Sequence, residues 1–133
     1  MWKVLVVDDD RSFGEGPEIF ERLKDREIKS RYVKDALLFI EDHLGDQNLS
    51  VGMIAHDLGL SEGHLSHVFK RETGYTINTY ITRRRIYYAM GLLKDCRVKV
   101  YEVAEKSGYR DIAYFSAVFK KIVGMNPSEF QAR

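Results

Sequence analysis

The chain is nearly devoid of cysteine. Cys96 stands alone among 133 residues, which excludes an internal disulfide and any multi-cysteine metal site and fits a reducing cytoplasm. Cys96 is expected as a buried, inert residue. No apolar run approaches the roughly 20 residues of a membrane span, so no membrane partner is expected. The apolar stretch Val4-Leu5-Val6-Val7 is too short for a signal peptide and runs into acids. Catalytic signatures are missing too: the four histidines are scattered, without His-Glu-x-x-His, a nucleophile–base pair or a phosphate-cradling glycine loop. His64 and His67 lie at i, i+3, but no third metal ligand is near. Neither catalysis nor a cofactor or metal is expected.

Excess charge is also slight, at +1 overall, yet that figure conceals an asymmetry. Residues 1–60 hold 8 Lys+Arg against 13 Asp+Glu, or −5, whereas 61–133 hold 13 against 7, or +6. A basic half joined to an acidic half suggests a polyanionic partner for the basic one. The remainder, 44% hydrophobic and 31% charged, describes a soluble globular chain with room for one ordinary domain or two very small ones.

What the chain does contain is a pattern stated twice. Leu65, Ser66, Val68, Phe69, Lys70 and Gly74 match Phe115, Ser116, Val118, Phe119, Lys120 and Gly124 at an offset of 50. Ala55 and Gly59 match Ala104 and Gly108 at 49, so the second copy carries one extra residue in its turn. Each copy predicts two short helices and a tight turn. The small alanine permits a close helix crossing, and the glycine takes the positive φ that ends the first helix. Ser61 or Asp111 caps the second helix. Leu65 with Phe69, and Phe115 with Phe119, bury one face at i, i+4 spacing. This is the layout of a helix-turn-helix whose second helix enters a DNA major groove.

Around the repeats the expected fold is all-α, about seven helices, with two helix-turn-helix subdomains joined by a long connecting helix. Val33, Ala36, Leu37, Ile40 and Leu44 mark an opening helix stopped by Gly45. Asn48 or Ser50 caps the next, with Met53, Ile54 and Leu58 inward. Thr76 or Asn78 opens the connecting helix, which runs to about Asp95 with Ile77, Tyr80, Ile81, Tyr88, Ala89, Leu92 and Leu93 as its apolar stripe. Phe69, Tyr80, Phe115, Phe119 and Phe130 read as core. Pro127 opens a last short helix ending near Gln131.

These residues carry a family resemblance. Ile54-Ala55, Leu58-Gly59-Leu60-Ser61, His64-Leu65-Ser66, Phe69-Lys70 and Thr73-Gly74 belong to it in the first copy. Tyr80-Ile81, Arg85-Ile86, Ala89 and Leu92-Leu93 follow. Then come Val103-Ala104, Gly108-Tyr109, Asp111, Tyr114-Phe115-Ser116, Phe119-Lys120-Lys121 and Gly124-Met125-Asn126-Pro127-Ser128-Glu129-Phe130. Residues 33–133 thereby resemble the DNA-binding domain of the AraC family of bacterial transcription regulators. The implied division is a first unit at 33–75, the connecting helix at 76–96 and a second unit at 97–133. Residues 1–32 would be a linker and a remnant of a response-regulator receiver domain, since Lys3-Val4-Leu5-Val6-Val7-Asp8-Asp9-Asp10 looks like a receiver's opening strand. Roughly 120 residues make a whole receiver, so phosphorylation is not carried over.

The resemblance implies a sequence-specific regulator of transcription, an activator in the cytoplasm that acts on double-stranded DNA and RNA polymerase, here as a monomer. Base reading would fall to Gly63, His64, Ser66 and His67 in the first unit and Ile112, Ala113, Ser116 and Ala117 in the second. His67 can donate to guanine, Ser66 and Ser116 can pair with several base edges, and the apolar residues can meet a thymine methyl. Lys70, Arg71, Arg83, Arg84, Arg85, Lys120 and Lys121 would hold phosphates. Arg85 can instead pair with an acid inside the domain. Two other classes remain: a phospho-signalling response-regulator fragment, and a helical module that binds protein.

Overall fold

The computed structural model describes residues 30–133. They form seven helices: α1 (Arg31–Asp42), α2 (Val51–Leu58), α3 (Glu62–Thr73), α4 (Ile77–Leu93), α5 (Val100–Lys106), α6 (Ile112–Val123) and α7 (Pro127–Gln131). The receiver-like acids Asp8, Asp9 and Asp10 lie outside the described residues.

The two sequence copies form α2-turn-α3 and α5-turn-α6. Gly59 and Gly108 adopt φ of 71° and 89°, which a side chain would oppose. The next residue then closes each turn identically. Leu60 donates its N–H to the Ala55 carbonyl, and Tyr109 to that of Ala104, both at 2.9 Å. This i to i−5 bond satisfies a carbonyl that the ending helix leaves open. Arg110 is the extra residue of the second turn, standing between Tyr109 and the cap Asp111.

Side-chain caps account for most helix starts. Ser50, Ser61 and Thr76 each accept from the N–H three residues on. Asn126 and Glu129 satisfy one another's N–H groups around Pro127. At α1 the final turn ends sooner than the apolar spacing predicts. His43 leaves helical geometry at φ −123°, and its ring stacks on Phe39 with centroids 3.9 Å apart. Gly45 therefore lies beyond the helix. It is small for another reason: a Cβ there would stand 3.0 Å from the Lys106 carbonyl oxygen.

The helices bury two separate apolar clusters. One joins Val33, Ala36 and Ile40 of α1 to Ile54, Leu65 and Phe69, and closes on Ile77, Tyr80 and Ile81 of α4. The other joins Ile86, Ala89 and Leu93 of α4 to Val103, Phe115, Phe119, Ile122 and Phe130. Each unit thus packs on its own half of α4, whose 17 residues make a rod about 26 Å long. Tyr87, partly buried, packs against both clusters. Two expectations are corrected. Tyr88 is 40% exposed, because the buried face of α4 passes through Ile86, Ala89 and Met90 instead. Cys96 is exposed, in the turn after α4.

Candidate nucleic-acid interface

Burial of Leu65, Val68 and Phe69 turns the other side of α3 outward. Gly63, His64, Ser66, His67, Lys70 and Arg71 are all exposed. Tyr32 of α1 stands beside this face, its ring 6.5 Å from that of His64. On α6, burial of Phe115, Phe119, Ile122 and Val123 has the same result: Ile112, Ala113, Ala117, Lys120 and Lys121 are exposed and Ser116 is half-buried. Both surfaces therefore begin with capped, outward first turns and end in two cations. The α3 surface is polar, and the α6 surface is largely apolar. Those terminal cations also suit the negative ends of the helix dipoles, where Gly74 and Gly124 donate N–H groups to the carbonyls of Lys70 and Lys120 at 2.8 Å.

Tyr114, 62% exposed in the first turn of α6, was not among the expected contacts. Its position one residue before buried Phe115 was the available signal, but an aromatic in a strongly apolar stretch reads as core. Tyr114 instead projects from the surface that carries Ile112 and Ala113.

The three arginines of α4 do not join this surface. Arg83 is fully buried, donating from Nη1 to the Tyr87 hydroxyl at 2.6 Å. Arg84 grips Glu41 of α1 through both Nε and Nη2, and this hydrogen-bonded carboxylate raises the arginine's pKa. Arg85 donates from Nε to the Leu44 carbonyl at 3.0 Å and from Nη2 to the Asp46 carbonyl at 2.8 Å. Its guanidinium also lies 5.6 Å from the centre of the Tyr109 ring, and burial lowers its pKa. Arg83, Arg84 and Arg85, expected at phosphates, each bond to a partner within the fold. Arg84 and Arg85 direct their donors to partners inside the fold, and Arg85 takes backbone carbonyls rather than an acid.

Among the described residues no cluster of three or more His, Cys, Asp or Glu is disposed to hold a metal. No helix there is long and apolar enough to cross a membrane.

Paired helix-turn-helix units with outward second helices define a class of DNA-binding fold, and comparison with known proteins agrees. A family model described as a helix-turn-helix domain matches residues 54–133. The arabinose operon regulatory protein of Escherichia coli is 38% identical over 100 residues, which are 75% of this chain and 34% of that protein. The transcriptional regulatory protein YesN of Bacillus subtilis is 41% identical over 107 residues, 78% of this chain and 29% of that one. Among solved structures, the C-terminal domain of AraT, a response regulator from Geobacillus stearothermophilus, superposes with a TM-score of 0.75 at 31% identity. That match covers 77% of this chain and 85% of that one. The chain belongs to the helix-turn-helix family of AraC-type, DNA-binding transcription regulators. It spans about a third of the length of the arabinose operon regulatory protein and of YesN.

Proposed function

We propose that this chain docks on double-stranded DNA with α3 and α6 in successive major-groove segments on one face of the duplex, about 34 Å apart. The observation that supports this most is the matched surface of the two helices. Both second helices begin with a capped, outward first turn, and Lys70 and Lys120 stand at the same register above buried Phe69 and Phe119.

Base reading is assigned to Gly63, His64, Ser66 and His67 of α3 and to Ile112, Ala113, Ser116 and Ala117 of α6. The first set brings hydrogen-bonding groups. The second is mostly apolar, so α6 reads thymine methyls and groove shape more than base-edge polarity. Lys70, Arg71, Lys120 and Lys121 neutralise phosphates. The protein so positioned activates transcription in the cytoplasm by recruiting RNA polymerase, and this chain acts as a monomer in two units, 33–75 and 97–133, joined by 76–96.

Fluorescence anisotropy with a labelled mixed-sequence duplex, titrated at several salt concentrations, tests the reading. Affinity that falls steeply with salt supports it, because phosphate contacts release counterions. Absence of binding at low salt refutes it and leaves the helical surfaces to a protein partner.

A further inference from the structure

The two units meet at a second place besides α4. The 43–48 turn of the first faces the 106–110 turn of the second, and both sides are shaped for close approach. A Cβ on Gly108 would lie 2.5 Å from the Leu44 carbonyl oxygen and 2.7 Å from Arg85 Nε, while Gly45 lies against the Lys106 carbonyl. Gly108 is thus constrained twice, by its φ and by the neighbouring unit. Arg85 occupies the junction. Its fork takes two carbonyls of the first unit's turn, at 3.0 and 2.8 Å, while its flat face covers Tyr109 of the second. Arg110, the one residue by which the second copy's turn exceeds the first, donates to the Asn48 side chain across the same boundary.

A rod with one unit packed on each half sets their separation along its axis. The faces of α4 that each unit covers also limit rotation about that axis, and contact between the two turns adds a further restraint. We infer that the Arg85–Arg110 clasp supplies it, so that Arg85 is a positioning residue that sets the base-pair spacing between the two DNA segments the chain accepts. The inference rests on the two-helix docking proposed above. Arg85 acts without touching DNA, through the angle between α3 and α6.

The test uses the whole chain. A bipartite duplex is selected on the wild type from a randomised pool, and one to three base pairs are then inserted between its halves. One inserted pair turns a half-site by about 34°. Where the units are rigidly held this forbids simultaneous engagement, so the wild type should lose roughly a hundredfold in affinity. Arg85→Lys keeps the charge but cannot fork across two carbonyls, and Arg110→Ala removes the outer contact. Both variants should lose less than about tenfold on the same insertion, while binding single half-sites as the wild type does. A merely destabilised fold would weaken half-site binding as well. Folded variants that reproduce the wild-type spacing profile overturn the inference. Should Arg85→Lys fail to fold, the exposed Arg110→Ala decides the matter. A wild type that binds no duplex refutes the docking itself, a result distinct from binding with an unchanged profile.

Discussion

Salt dependence separates phosphate contacts from arginines that only look like them. Seven cations are candidate phosphate contacts in the sequence, and in the fold Arg83, Arg84 and Arg85 make internal bonds. The proposed docking keeps four as phosphate contacts: Lys70, Arg71, Lys120 and Lys121. Each phosphate contact adds about 0.9 to the slope of log affinity against log salt, so four give about −3.6 and seven would give about −6.3. Raising salt fourfold then costs about 150-fold in affinity with four contacts, against about 6000-fold with seven. Neutralisation sharpens the distinction. Lys120→Gln should bring the slope to about −2.7, whereas Arg84→Gln should leave it near the wild-type value and lower thermal stability by releasing Glu41. Anisotropy titrations across that salt range measure both. A slope near −6, or an Arg84→Gln slope one contact shallower than wild type, would show that the arginines of α4 reach the phosphates after all.

Two further outcomes follow from local chemistry. Asp111 accepts from two N–H groups, of Ala113 at 2.8 Å and Tyr114 at 3.2 Å, whereas Ser61 accepts from His64 alone at 3.1 Å. Asp111→Ala should therefore cost about 1–2 kcal/mol and Ser61→Ala about 1 kcal/mol in urea denaturation, and a reversed order would contradict the argument. Burial, chiefly, pushes the hydroxyls of Tyr80 and Tyr109 up to about 12. The folded chain then keeps protons that the unfolded chain releases above about pH 10, so this stability is complete below pH 10 and is lost as pH rises toward 12. Circular dichroism in urea across that range should show a falling midpoint, and a flat one would refute the assignment.

How much of this was legible in the residues differs from element to element. The repeat at a constant offset placed α3 and α6 together with their caps, because capping, glycine φ and i, i+4 burial act within a few residues of chain. The final helix announced itself through Pro127, and the structure adds the Asn126–Glu129 cap around it. The connecting helix was legible as a helix, but its buried face was not. Tyr88 and Arg83 exchange their expected places because α4 turns its two halves toward two different cores. A single apolar stripe cannot describe a helix with two partners.

The sequence by itself determined which segments are helical, where the capped helices begin, and the main buried face of each recognition helix, since those choices depend on near neighbours. Only the tertiary structure decided the fates of the charged and special residues. Arg84 found Glu41, Arg85 found two carbonyls forty residues away, and Gly45 met Lys106 across the boundary between units. Such partners are distant in sequence. An arginine's reach is the same toward a phosphate as toward a carbonyl, so only the packing of one unit against the other determines which of them it meets.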